Sequence, residues 1–142
     1  MNKVMLGKLR KWLISGEKSS QQPARVAHAS WETINGRECL VITFNGVFTE
    51  IDAEKLVAYL NHEILAFATA KTFPLICRCQ YMTDYEAHAR LIFQNFIHIH
   101  SKCIESIWIV TKSNAIKYGG KLMGMFIGIP LKVVEEESQI YF

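Results

Sequence analysis

The sequence predicts one small α/β domain whose elements run β-β-α-β-α-β-α-β, preceded by a basic amphipathic helix. Three observations carry this. Short apolar runs of strand character alternate with longer stretches whose apolar residues recur at helical spacing. Between the first two runs sits Asn35-Gly36, the strongest short-range hairpin signal. Strands that alternate with helices then imply parallel neighbours, because a parallel pair needs a crossover and helices are the usual crossovers.

Each element has its own justification. At about 100° per residue, Met5, Leu6, Leu9, Trp12 and Leu13 share one arc of a helix over 1–15, with Lys3, Lys8, Arg10 and Lys11 opposite. Gly16 stops it, and the Ser- and Gln-rich stretch from Glu17 to Pro23 reads as a linker. The chain therefore divides into 1–23, helix and linker, and 24–142, the domain. Arg25 to Ile34 and Cys39 to Phe44 form the arms of the hairpin. Phe48 to Ala70 holds a helix capped by Thr49 or Asp52, burying Leu56, Leu60, Ile64 and Phe67. Phe73 to Cys79 is a short strand. Thr83-Asp84-Tyr85-Glu86 fits a capping box, which starts a helix there and runs it to about His100, with Tyr85, Ala89, Ile92, Phe96 and Ile99 at helical spacing. Ile104 to Thr111 is the fourth strand. Ser113 or Asn114 caps a helix to about Ile127, and Pro130 to Val134 is the last strand, before Glu135, Glu136 and Glu137.

Composition narrows the function. With 142 residues, half of them apolar and a fifth charged, the chain can bury a core without disulfide or metal staples. Its longest apolar stretches, such as Ile64 to Ala70, fall short of the roughly 20 residues that span a bilayer. Basic residues interrupt the N-terminal apolar positions, so no export signal is expected. Cys39, Cys77, Cys79 and Cys103 read as reduced thiols of a cytoplasmic protein, three of them in strand-like runs. Through Arg25 there are six basic residues against Glu17, whereas the remainder is slightly acidic. An acidic body argues against a broad nucleic-acid surface.

No catalytic set assembles. There is no G-x-S-x-G, phosphate-binding loop or dinucleotide fingerprint, and the acidic residues sit at caps, on exposed faces or in the C-terminal run. His98 and His100 point about 200° apart on a helix and cannot share an ion with Cys103, and His88 is too far away to help. No metal site and no cofactor is implied. Gly120, Gly124 and Gly128 recur every fourth residue, a smooth ridge for close packing or a partner. Tyr118, Met123, Met125 and Phe126, with Lys112, Lys117 and Lys121, give the third body helix more apolar and basic surface than one buried stripe needs.

The leading hairpin followed by strand–helix units resembles the STAS domain, the sulphate transporter and anti-sigma factor antagonist family, in its SpoIIAA-like branch. The segments that carry the resemblance are LVITFNGVFT, LICRCQYMTDYEAHAR and IWIVTKSNAIKYGGKLMGMFIGIPLKVVEEES, and it covers roughly residues 25 to 135. It implies a mixed sheet with helices mainly on one face, and a non-enzymatic regulatory or scaffold module that recognises its target around the start of the second helix. Phospho-regulated members carry a serine in a D-S-S-G-like turn there. The corresponding Met82-Thr83-Asp84-Tyr85-Glu86 has no serine, which leaves Thr83 as the candidate phosphoacceptor, or simply as a helix cap.

Two functions from different classes follow. The first is a module that binds a protein partner, a second copy included, through Met82, Thr83, Asp84, Tyr85 and Arg90 together with Lys117, Tyr118, Lys121, Met123, Met125 and Phe126. The second is a carrier of an apolar small molecule or lipid, suggested by the surplus of Leu91, Phe93, Ile97, Met123, Met125 and Phe126. The N-terminal helix suits an anionic membrane surface at the inner membrane face, a partner, or the domain's own sheet.

Overall fold

The structure is a computed structural model and describes residues 27–66 and 72–142. The expected N-terminal helix and linker lie outside the described residues, as do Arg25 and Phe67. Five strands and three helices follow in the predicted order: β1 Ala27–Ile34, β2 Arg37–Phe48, α1 Glu50–Ala66, β3 Phe73–Tyr85, α2 Ala87–Ile99, β4 Ile104–Val110, α3 Asn114–Ile127 and β5 Leu131–Val134. A single turn of 3-10 helix, Glu137–Gln139, comes after them.

Asn35 and Gly36 both take positive φ, 51° and 81°, as a tight turn between twisted strands requires, and Ile34 pairs with Arg37 across it. β1 and β2 are antiparallel, while β2–β3, β3–β4 and β4–β5 are parallel, so the sheet is mixed and its order is the chain order. Alternation along each strand divides the sheet in two. Leu40, Ile42, Leu75, Cys77, Ile107 and Ile109 face the helices and pack with Leu56, Leu60, Ala89, Phe93, Phe96, Ile97, Ile116, Met123 and Ile127. Cys39, Val41, Ile76, Trp108 and Val110 form a second cluster on the opposite face, and it contains no helical residue. The helices thus lie on one face.

The caps are partly those expected. Thr49 opens α1: its Oγ1 accepts from the Asp52 N–H at 3.2 Å and donates to Asp52 Oδ2 at 2.7 Å, while its own N–H donates to the same carboxylate. Ser113 opens α3, its hydroxyl accepting from the Ile116 N–H. The capping box expected at Thr83 is absent. β3 continues to Tyr85, α2 begins at Ala87, and its N-cap Glu86 makes no side-chain cap bond. Pairing with β2 outweighs the local signal, since Met82, Asp84 and Tyr85 align with Gly46, Val47 and Phe48 across one register shift. Starting later also turns the helix: Ala89, Phe93, Phe96 and Ile97 are buried, whereas Ile99 is 65% exposed and Tyr85 is not helical at all.

Beyond β5 the chain crosses the helix-free face. Ile140 is buried in the second cluster and its carbonyl accepts from Asn35 Nδ2 at 2.7 Å, back at the hairpin turn. Trp108 meets Tyr141 and Phe142 edge-on, and Lys132 Nζ sits over both the Trp108 and Tyr141 rings. Arg78 of β3 fastens this strap. Its guanidinium spans both oxygens of Glu32 at 2.8 and 2.9 Å and both oxygens of Glu137 at 2.5 and 3.1 Å. Glu135 to Glu137, the acidic residues of the C-terminal run, pair with Lys117, Lys112 and Arg78.

Candidate binding site

The residues singled out near the start of the second helix and those on the third helix converge, although about thirty residues separate them. Tyr85, the last residue of β3, projects beneath α3. A Cβ on Gly119 would stand 2.3 Å from its hydroxyl oxygen and 2.6 Å from the ring, so only glycine admits that approach. A Cβ on Gly120 would meet Ile109 at 2.6 Å, and one on Gly124 would touch Leu131 at 3.4 Å. The expected glycine ridge is therefore an intrachain contact at Gly120 and Gly124. Gly128 has another role: it ends α3 in the left-handed conformation, with φ 68°.

Between α2, α3 and the carboxyl ends of the strands this packing leaves a cavity of about 60 Å³. In open α/β sheets ligands bind at that end of the strands. Phe44 and Phe48 of β2 and Phe93 of α2 form one wall, with ring centroids 4.9 to 6.4 Å apart and edge-to-face geometry. Cys77, Cys79, Ile109 and Ile116 line the sheet side, and Gly119, Gly120 and Met123 of α3 close it. Met82, Tyr85 and Arg90 complete the lining. Burial pushes the Cys77 thiol up and the Cys79 thiol up to about 12, so both stay protonated and serve as small apolar groups.

Of the expected site residues, Met82, Tyr85, Arg90 and Met123 thus share one cavity. Tyr118, Lys121, Met125 and Phe126 lie on the outside of α3 and do not reach it. Thr83 and Asp84 are exposed on β3, ahead of the helix, with Asp84 Oδ1 accepting from the Tyr85 N–H. Lys117 is bound to Glu135 at 2.7 Å. In the apolar surplus assigned to a carrier, Phe93, Ile97 and Met123 are core, while Leu91, Met125 and Phe126 are exposed. Phe44, Phe48 and the thiols carried no functional signal in the sequence. Cys77-x-Cys79 does place both thiols on one face of a strand, a spacing that could have drawn attention to that wall.

Nearby, Glu86 reaches back to α1: its Oε1 accepts from the Glu50 N–H at 2.8 Å, and His88 Nδ1 lies 3.4 Å from Glu50 Oε1. His100 stacks on Phe96 and bonds Asn61 at 2.9 Å, and burial lowers its pKa. Among the described residues no group of three or more His, Cys, Asp or Glu is placed to hold a metal ion. Among the described residues, too, no helix is long and apolar enough to cross a membrane.

A hairpin-led mixed sheet in chain order with helices on one face is the SpoIIAA-like α/β fold. Among solved structures, the chain is similar to an uncharacterized DUF3478-family protein with a SpoIIAA-like fold from Shewanella loihica PV-4. The TM-score is 0.66 at 15% identity, over 87% of this chain and 94% of that one. It is also similar to the anti-sigma factor antagonist SpoIIAA in its unphosphorylated form, with a TM-score of 0.50 at 13% identity, over 79% of this chain and 93% of that one. No family model and no curated protein matches the sequence. The fold expected from the STAS resemblance is the fold observed.

Proposed function

We propose that the chain is a non-enzymatic regulatory or scaffold module that binds a protein partner across the start of α2 and the outer side of α3. The outer side of α3 carries this reading. Tyr118, Met125 and Phe126 are 67, 74 and 61% exposed, on a helix whose buried side is already supplied by Ile116, Gly119, Gly120, Met123 and Ile127. Exposed large apolar residues grouped on one element mark an interaction surface, and Met and aromatic side chains adapt to a partner. Thr83 is accessible beside this surface as a phosphoacceptor, and a second copy of the chain is one candidate partner. One structural neighbour is by name an anti-sigma factor antagonist, and its likeness in fold supports a regulatory role of that kind.

The test is affinity capture with the wild-type chain and with Lys121→Glu and Met125→Glu. Both substituted positions are exposed and outside the core, so stability should change by no more than about 0.5 kcal/mol. Loss of captured partner supports the reading, and unchanged capture removes α3 from the surface. Lys117 is unsuited to this test, because reversing it sets like charge against Glu135.

The apolar cavity favours a second reading, a carrier of an apolar small molecule. Native mass spectrometry decides it: a ligand-free mass across preparations from several extracts counts against a carrier. The basic amphipathic helix proposed for 1–15 would add contact with an anionic membrane surface in a cytoplasmic setting. Equal vesicle co-sedimentation with and without residues 1–20 would end that proposal.

A further inference from the structure

Four cationic side chains among the described residues are half-buried: Arg37, Arg78, Arg90 and Lys117. Three of them are answered by carboxylates, Arg37 by Glu105 at 2.8 Å, Arg78 by Glu32 and Glu137, and Lys117 by Glu135. Arg90 has no carboxylate within ion-pair reach among the described residues. Its Nη1 donates to Gln94 Oε1 at 3.2 Å, one turn along α2, and a single neutral acceptor leaves most of a guanidinium's donors open. Arg90 is also the only charged residue among the described residues that line the apolar cavity.

We infer that Arg90 receives the anionic head of a small amphiphile, a short-chain carboxylate, whose apolar tail enters the cavity beneath α3. The inference rests on the small-molecule reading above and adds the charge and orientation of the ligand. An arginine stem packs along apolar surface while its head stays at the wet end, so the stem contributes wall and the head marks the mouth. The guanidinium fork matches a carboxylate with two parallel bonds. A phenylalanine wall, two protonated thiols and Met123 offer the tail no polar partner. The volume of about 60 Å³ equals roughly two waters of liquid, which selects a short tail. Met82 and Met123, unbranched and flexible, can yield to a few further methylenes.

The test titrates the full chain with butanoate and with 1-butanol by calorimetry, and follows the methionine methyl signals by NMR to locate the tail at Met82 and Met123. Butanoate is expected to bind the wild type at least about tenfold tighter than butanol. Arg90→Gln should equalise the two ligands without weakening butanol, and Arg90→Lys should keep part of the preference. An unchanged melting temperature verifies that each variant is folded. Equal affinity for both ligands in the wild type would sink the charged-head inference and leave the apolar carrier standing. Parallel weakening of both ligands in Arg90→Gln would sink it too, by reducing Arg90 to a packing stem. Binding of neither ligand would end both the inference and the carrier reading.

Discussion

On one face of the sheet three crossover helices bury Leu, Ile and Phe side chains in a continuous core, and among the described residues the only ionisable groups buried there are thiols held neutral. On the other face a single strap lies over a patch of five buried strand residues and is fastened by Arg78, Glu32 and Glu137, with rings and cations at its margins. The first face is held by area removed from water, which is non-directional and tolerates a small void such as the cavity. The second is held by a few directional contacts, each of which matters only while its partners stay charged and in place. A domain can thus combine a robust core with a surface layer of far smaller cohesion.

The comparison breaks first, if it breaks, at Phe96, a fully buried side chain of the helical face. Phe96→Ala should cost about 3 to 5 kcal/mol in urea unfolding, and a loss below about 1 would mean that the helices contribute little to the core. Next comes Ile140→Ala on the strap. It should cost about 2 kcal/mol, the low end for such a truncation, because the strap can yield locally where a core helix cannot. A loss equal to that of Phe96→Ala would erase the distinction between the faces.

The junction of Tyr85 and Gly119 gives a third and smaller effect. Gly119→Ala places a Cβ against the Tyr85 ring and should cost about 1 to 2 kcal/mol, even though alanine favours helix by about 1. With Tyr85→Ala already present, the same substitution should become stabilising, and a cost that persists would show that the ring is not the obstacle.

The smallest effect is electrostatic. Hydrogen bonds from Arg78 hold Glu32 below the ordinary carboxylate value of 4.5, against the opposing pull of burial. A carboxylate whose folded pKa is lowered contributes stability above its unfolded value and loses it as pH falls through the folded one. Arg78→Met should therefore cost about 1 kcal/mol at neutral pH, and the gap to wild type should shrink as the pH falls below 4.5. A gap constant with pH would assign the loss to packing of the Arg78 stem.

Much of this architecture was legible in the sequence because its signals are local. Asn35-Gly36 announced the hairpin, Thr49 and Ser113 announced two helix starts, and Leu56 and Leu60 marked a buried face. The start of α2 misled for the opposite reason. Thr83 and Glu86 have the right spacing for a cap, but the backbone of Met82 to Tyr85 is claimed by β2, a partner nearly forty residues away. The cavity was half visible: the segments around Met82 and Met123 stood out, yet their meeting depends on Tyr85 fitting against Gly119, which no spacing reveals. Glu137 looked like one member of an acidic run because Arg78, its partner, lies 59 positions earlier in the chain.

Strand order that equals chain order also has a kinetic side. During synthesis each helix–strand unit can join the growing sheet edge as it leaves the ribosome, with no earlier gap to fill. The strap follows every strand that it covers, so among the described residues nothing covers Val41, Ile76 and Trp108 until it is made. For that interval the nascent chain offers one adhesive side, which chaperones, or a neighbouring nascent chain, can find before Ile140 arrives.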